Sequence, residues 1–172
     1  IFILKMVLFL VSNFGFWELA RKKLKINVYF LPSLVIGSQI LILFIGGLLN
    51  LLPMATFLIY GIGILLSIYY LYKSKFKAIE KYLNPGYIFF MFSLFLLALA
   101  VRGEIFTHYD NFSHWALIVK EMIRTNHFPN FENVVIDFQS YPPGSATYIY
   151  FFTRFIGKAE SIQMLAQAFM ML

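Results

Sequence analysis

The stretch Val28–Leu49, VYFLPSLVIGSQILILFIGGLL, carries no charged residue. A helix rises 1.5 Å per residue, so about 20 such residues cross the hydrocarbon core of a bilayer. No polar face interrupts the run, so a water-soluble fold would have to cover it on every side. The same kind of run recurs at 2–17, 55–72, 87–101 and 144–156, and another begins near Ser161. Sixty per cent of the chain is hydrophobic, 13% is charged, and the mean hydropathy is +0.76. A soluble domain is roughly half apolar and a quarter charged. The expectation is an all-α, polytopic transmembrane helix bundle of about six spans. Residues 1–86 hold three N-terminal transmembrane helices, and 87–172 form a second part in which a span, a long loop and two further spans follow, the last one truncated.

The formal charge of +6 is placed as a topology signal. Arg21, Lys22, Lys23 and Lys25 fall in one short connection and Lys73, Lys75, Lys77 and Lys81 in another, while the turn at 50–54 has no charge. Positive residues in short loops stay cytoplasmic. The first, third and fifth runs are therefore expected to point inward and the second, fourth and sixth outward, with the stretch 102–143 extracytoplasmic. That stretch sets Arg102, Lys120 and Arg124 against Glu104, Asp110, Glu121, Glu132 and Asp137, a net of −2. No basic stripe with interleaved stacking aromatics is present, so nucleic acid is not an expected partner. The absence of cysteine excludes disulfides and thiolate metal sites.

Aromatics at run ends, Trp17 beside Glu18 and Tyr69, Tyr70 and Tyr72 beside the lysines, read as interfacial anchors. Gly46, Gly47, Gly61 and Gly63 read as sites of close helix packing. The first run lacks a small-residue cleavage site and is followed by a basic segment, so it does not read as a signal peptide. The chain begins at Ile1 and stops inside an apolar run at Met170-Met171-Leu172, which reads as a piece of a longer protein.

Chemistry concentrates in 102–143. Phe112, Trp115, Ala116, Val119, Met122 and Ile123 recur at helical spacing, forming one apolar stripe on a helix from Asp110 to about Thr125. Asp110, His114 and Glu121 fall on the opposite face. Such a helix is expected to lie in the membrane surface, stripe down. Asp110 alone reads equally as a helix cap or as a base, roles that are compatible. His108 and His114 singly read as solvated or capping residues. Together with Asp110 they put two imidazoles and a carboxylate close in sequence, a set that can share a proton or hold a divalent metal ion. No metal motif of fixed spacing is matched. The loop closes on Tyr141-Pro142-Pro143-Gly144, whose prolines start the next helix without wasting a donor.

At these two places, Tyr109-Asp110-Asn111 with its helix and Tyr141-Pro142-Pro143-Gly144, the sequence resembles the GT-C superfamily of membrane glycosyltransferases. The resemblance covers about residues 87–172. It implies a glycosyltransferase, set in the cell envelope as a multi-pass protein of a bacterial plasma membrane. Such an enzyme moves a sugar from a polyprenyl-phosphate-linked donor to an extracytoplasmic acceptor. Asp110 would take the family's acidic role, as acceptor base or as a metal ligand, with His114 as its catalytic companion. Arg102, Glu104, His108, Lys120 and Tyr141 would bind substrate, the basic residues offsetting the leaving phosphate. Any metal would be held by Asp110, His108 and His114. Two features depart from the family pattern: Asn111 stands where several branches carry a second acid, and three spans precede the family's usual first.

Two other readings stand beside it. A non-catalytic anchoring or assembly subunit would use the loop to bind a partner. A transporter fragment would need ionisable residues within its spans, where only Lys5 and Arg154 occur.

Overall fold

The structure is a computed structural model that describes residues 2–113, 115–129 and 143–172. It is all-helical, with no strand among the described residues. The helices are α1 (Phe2–Leu24), α2 (Leu31–Leu48), α3 (Leu52–Ser74), α4 (Pro85–Ala100), α5 (Tyr109–Ser113), α6 (Trp115–Thr125), α7 (Gly144–Ile156) and α8 (Glu160–Met171). Three of them are long and apolar enough to cross a membrane: α1, α3, and α2 together with the 3-10 turn Val28–Phe30 before it. At 16 residues α4 is apolar but shorter.

The helix ends follow local chemistry. Pro53, expected in a turn, sits in the first turn of α3, where its missing N–H costs nothing. Asn84 caps α4 by accepting the Tyr87 N–H at 3.2 Å. The helix α1 runs past its expected end at Trp17, because Glu18 neutralises the basic turn that follows. Its carboxylate takes two bonds of 2.7 Å from Arg21 and lies 3.5 Å from Lys22. Tyr82, in the connection before α4, donates to the same carboxylate at 2.9 Å. Burial and that carboxylate push the Tyr82 phenol well above its ordinary pKa, so it remains a donor.

A few polar side chains are buried and paired within the apolar interior, and many large apolar side chains are exposed. Asn13 and Gln39 are bonded across α1 and α2 at 3.1 Å, and Ser12 and Ser67 bond backbone carbonyls across α1 and α3. All four are buried, while Leu41, Ile45, Phe57, Leu65, Phe89 and Phe95 are about half exposed or more. Exposed apolar side chains and internally paired polar groups suit helices that could cross a membrane, since polar groups in lipid must find partners within the protein.

Of the expected packing glycines, Gly63 meets Ser12 of α1, Gly46 meets Ala55 and Gly47 meets the Phe128 ring. Gly61 faces open space and packs nothing. Gly15, not anticipated, is the other half of the α1–α3 contact. Tyr69 and Tyr72 are exposed as anchors should be, but Trp17 and Tyr70 are buried. Trp17 stacks on Tyr82, and Lys22 lies over the Tyr70 ring.

Contacts order the ends of the bundle. The connections after α1 and after α3 meet through Glu18 and Tyr82, and Tyr87 reaches Val28. At the other end, the turn between α2 and α3 meets the chain after α6, where His127 Nδ1 lies 3.2 Å from the Asn50 side-chain oxygen. The two lysine-bearing connections thus meet at one end, and the turn between α2 and α3 lies at the other.

The last two helices depart from the expected alternation. At 13 and 12 residues, α7 and α8 rise about 20 and 18 Å, short of the ~30 Å core. The end of α7 reaches Lys5, near the start of α1. The start of α8 is bonded to Phe106, and its end lies by Tyr29 and Gly86. So α8 runs from the loop end of the bundle toward the lysine end, opposite to the outward course expected for it.

Candidate functional site

Packing turns α6 toward protein. Ala116, Ile118, Val119 and Met122 are buried, and the last three join the main core with Phe9, Tyr148, Phe151, Phe152 and Phe169. The expected stripe is thus rotated slightly, bringing Ile118 in and leaving Trp115 45% exposed. Its driving force is burial against α7 and its neighbours, at roughly 25 cal/mol per Å² of apolar area.

Between α5, α6, α7 and α8 a cleft of about 430 Å³ opens, lined by Phe106, Asn111, Ala116, Val119, Ile149 and Gln163 among others. Its walls are mainly apolar with a few amides and hydroxyls, the usual make-up of a small-molecule site. Gln163 is buried; its amide donates to the Lys158 carbonyl, and its oxygen has no partner among the described residues.

One carboxylate organises the rim. Glu160, in the first turn of α8, accepts from Lys120 Nζ at 2.6 Å and from the Phe106 backbone N–H at 2.7 Å. It therefore ties the segment after α4, the solvent side of α6 and the start of α8 to one point. The Lys120 ammonium, and then the Phe106 N–H, hold its carboxyl below the ordinary range. The Lys120 ammonium also lies 5.9 Å from the Phe106 ring centroid.

Asp110 lies in the first turn of α5, next to the cleft residue Asn111. Its side chain is 59% exposed, and its carboxylate is 3.5 Å from His108 Nδ1. The same Nδ1 accepts the Asp110 backbone N–H at 3.3 Å. His108 thus does the capping that Asp110 was a candidate for, and the Asp110 carboxylate is left facing outward.

Arg102 and Glu104 are exposed in the turn leaving α4, with no side-chain bond among the described residues. Lys120 is engaged by Glu160 rather than open to a ligand. Glu121, expected beside Asp110 on the polar face, pairs with Arg124 at 2.6 Å. His114 and Tyr141 lie outside the described residues, as does Pro142 of the Tyr-Pro-Pro-Gly motif. Pro143 precedes α7, and its carbonyl accepts the Thr147 N–H at 2.7 Å. Asp110 and His108 are the two potential metal ligands that meet; no group of three His, Asp or Glu occurs among the described residues.

Sequence reasoning missed Glu160, Phe106 and Gln163. An acid in the first turn of a helix is a recognisable signal, but it does not reveal partners 40 and 54 residues away. Comparison with family models, curated proteins and solved structures finds no match to this chain.

Proposed function

We propose that the chain is part of a membrane glycosyltransferase that takes a sugar from a polyprenyl-phosphate-linked donor and passes it to an acceptor outside the cytoplasm. The observation that supports this reading is an exposed carboxylate, Asp110, beside a mostly apolar cleft that opens at the loop end of the bundle. An apolar cleft suits a lipid tail, and its rim places polar side chains where a sugar phosphate would lie. In this reading the loop end faces the cell exterior and the lysine end faces the cytoplasm.

The chemistry is a displacement at the anomeric carbon. The acceptor hydroxyl gives its proton to the Asp110 carboxylate as its oxygen bonds to that carbon. The bond to the donor phosphate breaks, and the phosphate leaves with the electron pair. Glu160 already neutralises Lys120, so Arg102 is the cation suited to offset the leaving charge. His108 holds the Asp110 backbone, which fixes where the base starts. Membranes from cells producing the protein should transfer labelled sugar from a polyprenyl-phosphate donor above the level of matched control membranes. Equal transfer in both would refute the reading.

A further inference from the structure

At the lysine end of the bundle, α1 and α2 enclose a groove of about 360 Å³. Phe16, Leu19 and Leu24 line it from α1, and Leu34, Val35 and Ile42 from α2. Two of its polar groups are already bonded. The Ser38 hydroxyl donates to the Leu34 carbonyl and the Gln39 amide N–H donates to Asn13, while the Gln39 side-chain oxygen is buried with no hydrogen-bond partner among the described residues. The surface offered is hydrocarbon.

Lys23 stands at one end of this groove. Its neighbours Arg21 and Lys22 are both committed to Glu18. Lys23 itself is exposed and has no hydrogen bond or ion pair among the described residues. From Lys23 to Phe16 along α1 the groove extends about 10 Å.

We propose that this groove holds one acyl chain of an anionic phospholipid, with the lipid phosphate on Lys23. A free cation followed by about 10 Å of hydrocarbon wall matches a charged headgroup and the upper part of its chain. The lysines at 25 and 73–81 share this end of the bundle and add to the attraction for an anionic leaflet. An apolar helix of another protein would fill the groove but bring no anion to Lys23. The site lies apart from the cleft at the loop end and does not depend on the glycosyltransferase reading.

The test is native mass spectrometry of the purified protein in micelles that offer phosphatidylglycerol and phosphatidylcholine in equal amounts. One phosphatidylglycerol should remain bound, preferred by about fivefold, the factor that one surface lysine supplies. Lys23→Gln, which disturbs no packed atom, should erase the preference, and Lys75→Gln should keep it. Ala20→Phe, which fills the groove, should remove the bound lipid of either kind. Equal retention of the two lipids by the parent protein would overturn the proposal. So would equal losses from Lys23→Gln and Lys75→Gln, which would indicate only diffuse surface attraction. A dimer in place of the lipid adduct would assign the groove to a second copy of the chain.

Discussion

Glu160 accepts the Lys120 ammonium at 2.6 Å, joining the start of α8 to the outer face of α6 across 40 residues of chain. The same carboxylate takes the Phe106 N–H, so one side chain sets the spacing of the three segments that frame the cleft.

This latch has a pH dependence of known sign. The Glu160 carboxyl is held below its ordinary range in the folded protein. A depressed folded pKa contributes stability that is fully present above the unfolded value and is lost as pH falls through the folded one. Exchange of the Phe106 amide with deuterium should therefore stay slow from neutral pH through the ordinary carboxylate range. It should accelerate, beyond the intrinsic trend, only below that range. Glu160→Gln should release Lys120 at a stability cost under about 1 kcal/mol, since both partners are partly solvated. Unchanged protection of Phe106 in Glu160→Ala would show that the carboxylate does not anchor this segment.

At the opposite end, Glu18 is fully buried while Arg21 and Lys22 reach solvent. Glu18→Ala should lower stability in detergent by about 1–3 kcal/mol, the range for hydrogen bonds to charged groups. That is less than the 3–5 kcal/mol of a fully buried pair, because the stranded cations can turn to water. Tyr82→Phe removes one of the bonds and should cost about 1 kcal/mol. Thermal unfolding of the purified variants checks the order, and a larger loss from Tyr82→Phe would contradict it.

The helices were legible in the sequence because hydropathy reports the solvent directly. Val28–Leu49 needs only its own residues to announce a helix that lipid can cover. Residues 144–156 could be delimited in the same way, but their course could not. What turns α7 toward Lys5 and α8 toward Gly86 is aromatic packing of Tyr148, Phe151, Phe152 and Phe169 on Phe9, Tyr60 and Phe90. Periodicity does not encode such pairings. The apolar stripe on α6 was expected to lie on the membrane surface; Ala116, Val119 and Met122 of it are buried in protein while Trp115 is 45% exposed, because an apolar stripe does not say whether lipid or protein covers it. Asp110 and His108 were visible as neighbours, whereas Glu160 was not, since its partners are distant in sequence. The proximity of Gly15 to Gly63 was hidden for the same reason, and Gly61, equally suggestive in sequence, points to open space.

The grouping of connections gives a topology test. Thr107 is exposed before α5, and Lys77 is exposed in the connection after α3. In intact cells, Thr107→Cys should react with an impermeant thiol reagent, and Lys77→Cys should react only after lysis. No native cysteine competes. The reverse pattern would put the cleft in the cytoplasm and remove the basis for an extracytoplasmic acceptor.

The central claim is that Asp110 takes the acceptor proton, and sugar transfer by Asp110→Asn measures it most directly. The side chain is 59% exposed and His108 already satisfies the backbone N–H, so the substitution should leave expression and unfolding temperature unchanged. It removes the charge that a base needs. Transfer from a polyprenyl-phosphate-linked sugar should fall by a factor on the order of 10² or more in the variant. Transfer at the parental rate by a folded Asp110→Asn protein would contradict the account and leave the cleft as a binding surface without this catalysis.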